Sequence, residues 1–201
     1  MKKVIQATVQ PIVLTSTRLM IRQLRHADIL PMVDFLILNK DFHLPYQVAR
    51  SDDYYTQAYW QAELEHQNRM EGHRASPLFF VVSLKEQPAE IIGYLHFSNM
   101  VLGAFQACHL GYMLGEIYQG QGIMGEALLA AIQYVFKERN LHRIMANYLP
   151  NNRRSAAVLK KLGFVIEGLA KNYLWINGSW QDHVLTSLIN EDWVKTSDCC
   201  Y

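Results

Sequence analysis

Residues 118–127 read Tyr-Gln-Gly-Gln-Gly-Ile-Met-Gly-Glu-Ala and join an apolar run to a long amphipathic one. Glycines at 120, 122 and 125 allow positive φ and a close approach of backbone to a ligand. A helix opening just after them offers unpaired N–H groups and a partial positive charge. Together these features make an anion site suited to phosphate groups. Without a ligand the same segment is simply a glycine-rich turn.

The kind of phosphate ligand is narrowed by what is missing. Gly120-x-Gly122-x-x-Gly125 matches the dinucleotide fingerprint, but that site also needs a carboxylate at the end of the next strand to hold the ribose. The next strand, His142-Arg143-Ile144-Met145-Ala146-Asn147-Tyr148, ends without one, and several strands precede the turn. No Gly-Lys-Ser/Thr occurs, so a nucleoside triphosphate loop is excluded as well.

The elements that must position this turn follow from periodicity. Residues 18–24 alternate as a strand, and Asp28 is placed to cap a helix over Ile29–Leu38. Residues 39–53 read as a loop and 53–70 as a second helix carrying Tyr54, Tyr55, Tyr59 and Trp60. Leu78–Leu84 and residues 91–97 form a hairpin around 85–90, and residues 104–114 a further strand. Leu128, Ala131, Ile132, Val135 and Phe136 recur at helical steps, predicting a helix over 125–140. A short strand at 142–148, a helix over 151–162 stopped by Gly163, and strands 164–176 and 180–189 around Asn177-Gly178 complete the chain. This order predicts an α/β (α+β) fold, a mixed central sheet with helices on both faces. Residues 1–17 read as an irregular lead-in, 18–193 as a single domain, and 194–201 as a disordered tail.

Composition bounds the function. The 201 residues carry 19 Lys+Arg against 18 Asp+Glu, a formal net charge of +1, with 50% hydrophobic and 18% charged residues. That is too apolar for a disordered chain and too neutral for a broad phosphate-attracting surface. No apolar stretch is long enough to span a bilayer, and Gln6, Thr8, Gln10 and Pro11 interrupt what would follow a signal-peptide start. Three cysteines, Cys108 and the adjacent Cys199-Cys200, make no disulfide framework, and eight scattered histidines show no metal-ligand spacing. The expectation is a cytoplasmic protein with no metal.

Gln119-x-x-Gly122, then Asn152-x-x-Ser155, then Leu159-Lys160-Lys161-Leu162-Gly163-Phe164 resemble the GNAT acyltransferase superfamily. Thr17-Arg18-Leu19-x-Ile21-Arg22, Phe97-Ser98-Asn99, residues 142–148 and Asn177-Gly178-x-Trp180-x-Asp182-His183 are similar to its RimJ-like branch, which acetylates the N-terminal alanine of a small-subunit ribosomal protein. The superfamily turn ends Gly-x-Gly/Ala, whereas Met124 stands here at the last position and glycine follows only at Gly125.

The resemblance implies acetyl-CoA as co-substrate, with a protein N terminus as acceptor and ribosome association as a further expectation. It implies that backbone groups of Met113 and Leu114 pair with the pantetheine arm and polarise the thioester. Backbone amides of Gln119, Gly120, Gln121, Gly122, Ile123, Met124 and Gly125 would hold the pyrophosphate, Asn152 would bond the pantetheine, and Ser155 would lie near the sulfur. Many relatives carry an acidic tyrosine where this chain has Leu159, so Ser155, with no activating partner visible in sequence, becomes the acid. His109, two residues before Gly111, is the candidate base. An α-amine has a pKa of about 7.8 against about 10.4 for lysine, so a few hundredfold more of it is unprotonated near neutrality and no carboxylate base is required. Glu116 reads as a solvated loop charge. Asp182 and His183, adjacent on a strand, face opposite sides and form no dyad. Tyr46 in Leu44-Pro45-Tyr46, together with Tyr173 and Trp175, is the expected acceptor-side set. The alternatives are a small-molecule amine as acceptor, or a CoA-binding ribosome-assembly factor without turnover.

Overall fold

The computed structural model describes residues 11–70 and 73–195. Eight strands form one sheet in the order β1-β2-β3-β4-β5-β6-β8-β7. They are β1 (Val13–Thr15), β2 (Leu19–Gln23), β3 (Leu78–Leu84), β4 (Gly93–Val101), β5 (Ala107–Leu114), β6 (Arg143–Met145), β7 (Val165–Ile176) and β8 (Ser179–Ile189). Every neighbouring pair is antiparallel except β5 and β6, which run parallel. The helices are α1 (Ile29–Leu38), α2 (Lys40–His43), α3 (Gln57–Met70), α4 (Ile123–Arg139) and α5 (Arg153–Lys161).

Two hydrophobic clusters lie on the two faces of the sheet. Leu128, Ala131, Ile132 and Val135 of α4 pack on Ile21, Phe80, Leu95, Phe97, Cys108 and Leu110. Ile29, Met32, Val33 and Leu36 of α1, with Trp60 and Leu64 of α3, pack on Phe79, Val81 and Met113. The alternating side chains of β3 feed both clusters, which is why residues 78–82 read as an unbroken apolar run. Pro31 sits in the first turn of α1, where its missing N–H costs nothing. Gly163 (φ +87°) ends α5, and Asn177 and Gly178 (φ +50° and +76°) turn β7 into β8.

Several boundaries differ from the sequence reading. The lead-in is not irregular throughout, since Val13–Thr15 pairs with Met20, Ile21 and Arg22 as an edge strand. Its residues 1–10 lie outside the described residues, as do 196–201 of the tail. The tail's first residues are tied down, with Asn140 donating to the Val194 carbonyl at 2.8 Å. The loop at 39–53 contains α2 and a 3-10 turn at Leu44–Tyr46. The second helix opens at Gln57, after a 3-10 turn over Asp52–Tyr55.

Asp28 does not cap α1 through its side chain. Its buried carboxylate binds the buried Arg22 guanidinium at 2.7 Å, while Arg22 also donates to Ser83 Oγ at 2.7 Å. A cation on a core-facing strand position needs an anion more than the helix needs a cap. Removing one partner of such a pair costs about 3–5 kcal/mol.

The strand expected over 142–148 pairs with β5 for three residues only, at Ala107–Arg143, Cys108–Ile144 and His109–Met145. On its other side the chain stays with β8 throughout, from Arg143–Ile189 onward, as Ala146 donates to the Thr186 carbonyl at 3.0 Å and Tyr148 exchanges hydrogen bonds with Val184. Residues 110–114 of β5 therefore lack a neighbour on that side.

Their other side is held by β4, very closely at Gly93. A Cβ built there would lie 2.5 Å from the Met113 carbonyl oxygen. Gly93→Ala should destabilise the protein by about 1–3 kcal/mol by overpacking, measured as a lower midpoint in denaturant unfolding. An unchanged midpoint would show that β4 and β5 can part to admit a methyl group.

Candidate active site

The missing neighbour of β5 opens a cavity of about 330 Å³, walled by residues 110–114 and 147–149 and lined from both faces of the sheet. Met124, Ser155 and Val158 reach it from the α4/α5 side, and Phe42, His43, Tyr46 and His96 from the α1/α2 side.

Backbone direction along β5 decides which amides face the gap. Gly115 N–H donates to the Ile92 carbonyl at 2.8 Å, toward β4. Successive peptide groups of a strand point to opposite sides, so the N–H and C=O of Leu114 and Tyr112 point into the gap, while those of Met113 point to β4. Of the expected pair, Leu114 faces the opening and Met113 does not. The Leu114 carbonyl is already occupied, accepting from Gln119 Nε2 at 2.8 Å and bonded to His43 Nε2 at 3.0 Å. Its amide is the donor left for an acyl oxygen.

The glycine-rich turn lies just beyond. Gly120 and Gly122 both sit at φ +75°, and Gly122 is the N-cap of α4. The helix starts at Ile123, not 125, so Gly125 lies in its first turn and has no positive φ. Gln119 departs from expectation: its amide donates to the Glu116 carbonyl at 3.1 Å and its side chain to Leu114. It fastens the turn to β5 rather than offering its N–H. The amides of Ile123, Met124 and Gly125 precede the first helical hydrogen bond, from Glu126 N–H to the Gly122 carbonyl, and so lack intrahelical acceptors. A Cβ at Gly120 or Gly125 would meet nothing within 4 Å, so the outside of the turn is open to a bulky anion. This donor set fits a diphosphate.

Arg18, at the start of β2, fixes the turn from below. It donates to the Gln121 carbonyl at 3.2 Å from both terminal nitrogens and pairs with Glu126 at 2.7 Å. Glu126 also accepts from the Arg18 amide and from Ser16 Oγ. Desolvation pulls its pKa upward, but these hydrogen bonds outweigh it and hold the carboxyl below its ordinary range.

Asn152 N-caps α5, its Oδ1 accepting from the Ser155 amide at 3.1 Å. The Ser155 hydroxyl lies 2.6 Å from Tyr112 Oη. This partner was absent from the sequence reading, which had Ser155 acting without one. Burial pushes the Tyr112 phenol up to about 12. Tyr112 and Ser155 are 43 positions apart, and no spacing rule joins them.

The histidines sort differently from expectation. His109 lies in the paired part of β5, does not line the cavity, and has a buried Nδ1 with no partner among the described residues. His96, opposite Gly111 on β4, does line it, with its ring 5.5 Å from Phe79. Desolvation is the first cause lowering the pKa of His43, His96 and His109. At neutral pH these rings are free bases.

Tyr46 lines the cavity, and Asn177 at the hairpin tip donates to the Leu44 carbonyl at 3.1 Å, joining that tip to the 44–46 turn. Tyr173 sits one step back, its hydroxyl accepting from Asn147 at 3.1 Å and its ring 5.4 Å from His183. Trp175 is on the outer hairpin surface, half-exposed and paired with Trp180. Tyr54 and Trp60 are core residues. Asp182 binds Lys171 at the surface while buried His183 faces the cavity, so the two do not act together. Glu116 does not line the cavity. No group of metal-ligating side chains occurs, and no helix is long and apolar enough to cross a membrane, among the described residues.

Two outcomes follow from this geometry. Gly122→Val should weaken coenzyme A binding at least tenfold by calorimetry, because a β-branched residue is strained at φ +75°; unchanged affinity would remove the turn from the binding site. The lowered histidines imply that the unfolded chain takes up protons at a higher pH than the folded one. Stability is then full above the ordinary histidine value of 6.5 and is lost as pH falls below it. Melting temperatures between pH 7.5 and 5 should decline, and less so in His96→Asn; identical slopes would remove His96 from the set.

The chain matches the acetyltransferase (GNAT) domain family over residues 18–165. It is 42% identical over 188 residues to the [ribosomal protein uS5]-alanine N-acetyltransferase of Escherichia coli, covering 94% of this chain and 96% of that protein. The crystal structure of a ribosomal-protein-S5-alanine acetyltransferase from Vibrio fischeri superposes with a TM-score of 0.87 at 39% identity, covering 92% of this chain and 100% of that one. Mycobacterium smegmatis RimJ in complex with CoA-disulfide gives 0.81 at 27%, covering 94% and 93%. With a parted parallel strand pair, an open glycine turn and a family match over most of its length, the chain belongs to the GNAT family of acetyl-CoA-dependent N-acetyltransferases.

Proposed function

We propose that this protein transfers the acetyl group of acetyl-CoA to the α-amine of a protein N terminus, an alanine of a small-subunit ribosomal protein, in the cytoplasm. The observation that carries the reading is the cavity wall: it contains Arg50, Arg154, His43, His96 and His183 and no Asp or Glu. Such a wall repels a polyamine or a charged lysine and leaves no carboxylate to deprotonate one. It suits an amine that is already partly neutral near pH 7. The 42% identity to an enzyme named for uS5-alanine acetylation supports the choice of acceptor.

In this reading the turn amides from Gly120 to Gly125 hold the diphosphate and the parted strands receive the pantetheine arm. The Leu114 amide stabilises the oxyanion, as a preorganised donor costs no reorganisation when charge develops. The amine enters from the α1/α2 side, between Tyr46 and Gly111. His96, uncharged and facing that position across the sheet, accepts its proton directly or through water, a role better suited to it than to His109. Asn152 keeps its side-chain amide group for the pantetheine while its oxygen caps α5. Tyr46 borders the acceptor, Tyr173 stands behind it through its hydrogen bond to the cavity-lining Asn147, and Trp175, on the outer hairpin surface, is left out of the acceptor set.

The test is acetyl-CoA turnover on an Ala-start peptide beside the same peptide with a blocked α-amine and free lysines. The free α-amine should react at least about 100-fold faster, following the difference in unprotonated fraction. Turnover on the lysine peptide alone would defeat the acceptor assignment. Tight coenzyme A binding without turnover on either peptide would favour the assembly-factor reading.

A further inference from the structure

Leu159, on α5, has its side chain buried in the core. No hydroxyl can reach the cavity from that position. Ser155, one helical turn earlier, lines the cavity, and its amide is satisfied by Asn152 Oδ1. Its hydroxyl shares a hydrogen bond with Tyr112 Oη, across from α5 to β5, in which either oxygen can donate. Tyr112 also lines the cavity and packs with the α4/α5 cluster, so its phenol is held by the sheet while its tip meets the serine.

A serine hydroxyl alone is a weak acid. When a second hydroxyl donates to its oxygen, its own proton becomes easier to give up, because successive hydrogen bonds polarise one another. The gap-facing peptide of Tyr112 precedes that of Leu114 by two positions. One strand therefore sets both the oxyanion donor and the group behind the proton donor.

We propose that Tyr112 is a positioning residue for acyl transfer: its phenol donates to Ser155 Oγ, orients the serine proton toward the departing sulfur, and replaces that proton as it leaves. This rests on the acetyl-transfer reading above and adds to it the identity of the proton path. As the carbon–sulfur bond breaks, its electron pair goes to sulfur. The Ser155 proton moves to sulfur and the Tyr112 proton to Ser155 Oγ. The proton that His96 takes from the attacking nitrogen returns through water to the Tyr112 phenolate, so the nitrogen loses one proton, the thiol gains one, and His96, Tyr112 and Ser155 end as they began. Burial keeps the phenol protonated through the neutral range, so the path stays loaded at working pH.

The test compares the wild type with Tyr112→Phe, Ser155→Ala and the double variant. Acetyl-CoA turnover is followed on the Ala-start peptide and, in parallel, on the lysine peptide. Tyr112→Phe should lower kcat by about 10–100-fold, at or below the low end of the about 100–10,000-fold of a full general acid, because Ser155 itself remains. KM for acetyl-CoA and peptide should stay within about twofold, and the melting temperature close to wild type. In the Ser155→Ala background the same change should cost nothing further, since Tyr112 acts through Ser155. A kcat within about twofold of wild type, a loss confined to KM, or an equal further loss without Ser155 would each overturn the proposal. Activity on the lysine peptide alone would instead overturn the acceptor assignment, and the Tyr112→Phe ratio is then read on that peptide. A wild type inert on both peptides would overturn both.

Discussion

Parallel pairing between β5 and β6 ends after three residues, and the rest of the site is built around that ending. A buried strand edge is unfavourable unless its polar groups find partners. Here the inner edge of residues 110–114 is left facing a cavity, with the Leu114 carbonyl satisfied by side chains of His43 and Gln119. On the other side, residues 146–148 keep the pairing to β8 that begins at Arg143–Ile189, so their hydrogen bonds on that side are retained after β5 has been left. The gap is thus a stable consequence of strand allegiance, wide enough for a slender chain and already lined with backbone donors.

The glycine turn depends on the same strand. Gln119 ties its beginning to Leu114, Arg18 ties its middle through the Gln121 carbonyl, and Glu126 ties the first turn of α4 back to Arg18 and Ser16. One local tie, to Leu114, and one from residues 16–18, far away in sequence, hold the amides of Gly120 to Gly125 in one arrangement without using them. A carboxylate beside a diphosphate site would ordinarily repel it, yet Glu126 is engaged by the Arg18 guanidinium and amide, which directs its charge away from the ligand side.

On the acceptor side, burial does what specific charges do elsewhere. Desolvation keeps His43 and His96 neutral in a wall that contains guanidinium groups and no carboxylate. In the proposed reading, such a surface discriminates by the charge state of the incoming amine. On the other face of the sheet, the Tyr112 phenol reaches Ser155 from a strand, while Leu159 on the helix is buried in the core.

Local sequence alone determined the elements with strong periodicity or chemically marked ends: α1 over Ile29–Leu38, β3 over Leu78–Leu84, the turn at Asn177-Gly178, and the glycine segment as a positive-φ turn that opens a helix. Those features depend on interactions within a few residues, so spacing reports them. The resemblance in motif order carried the family and the co-substrate. The edge strand Val13–Thr15, the early end of β6 and the recruitment of Asp28 by Arg22 depended on partners far along the chain, and no window of residues contains them. The same holds in the site. That Leu114 and not Met113 turns its amide to the gap, that His96 and not His109 meets the cavity, and that Ser155 has Tyr112 as partner are matters of strand register and crossing elements. Register sets which side each peptide and side chain faces, and pairing across the sheet is what sets register.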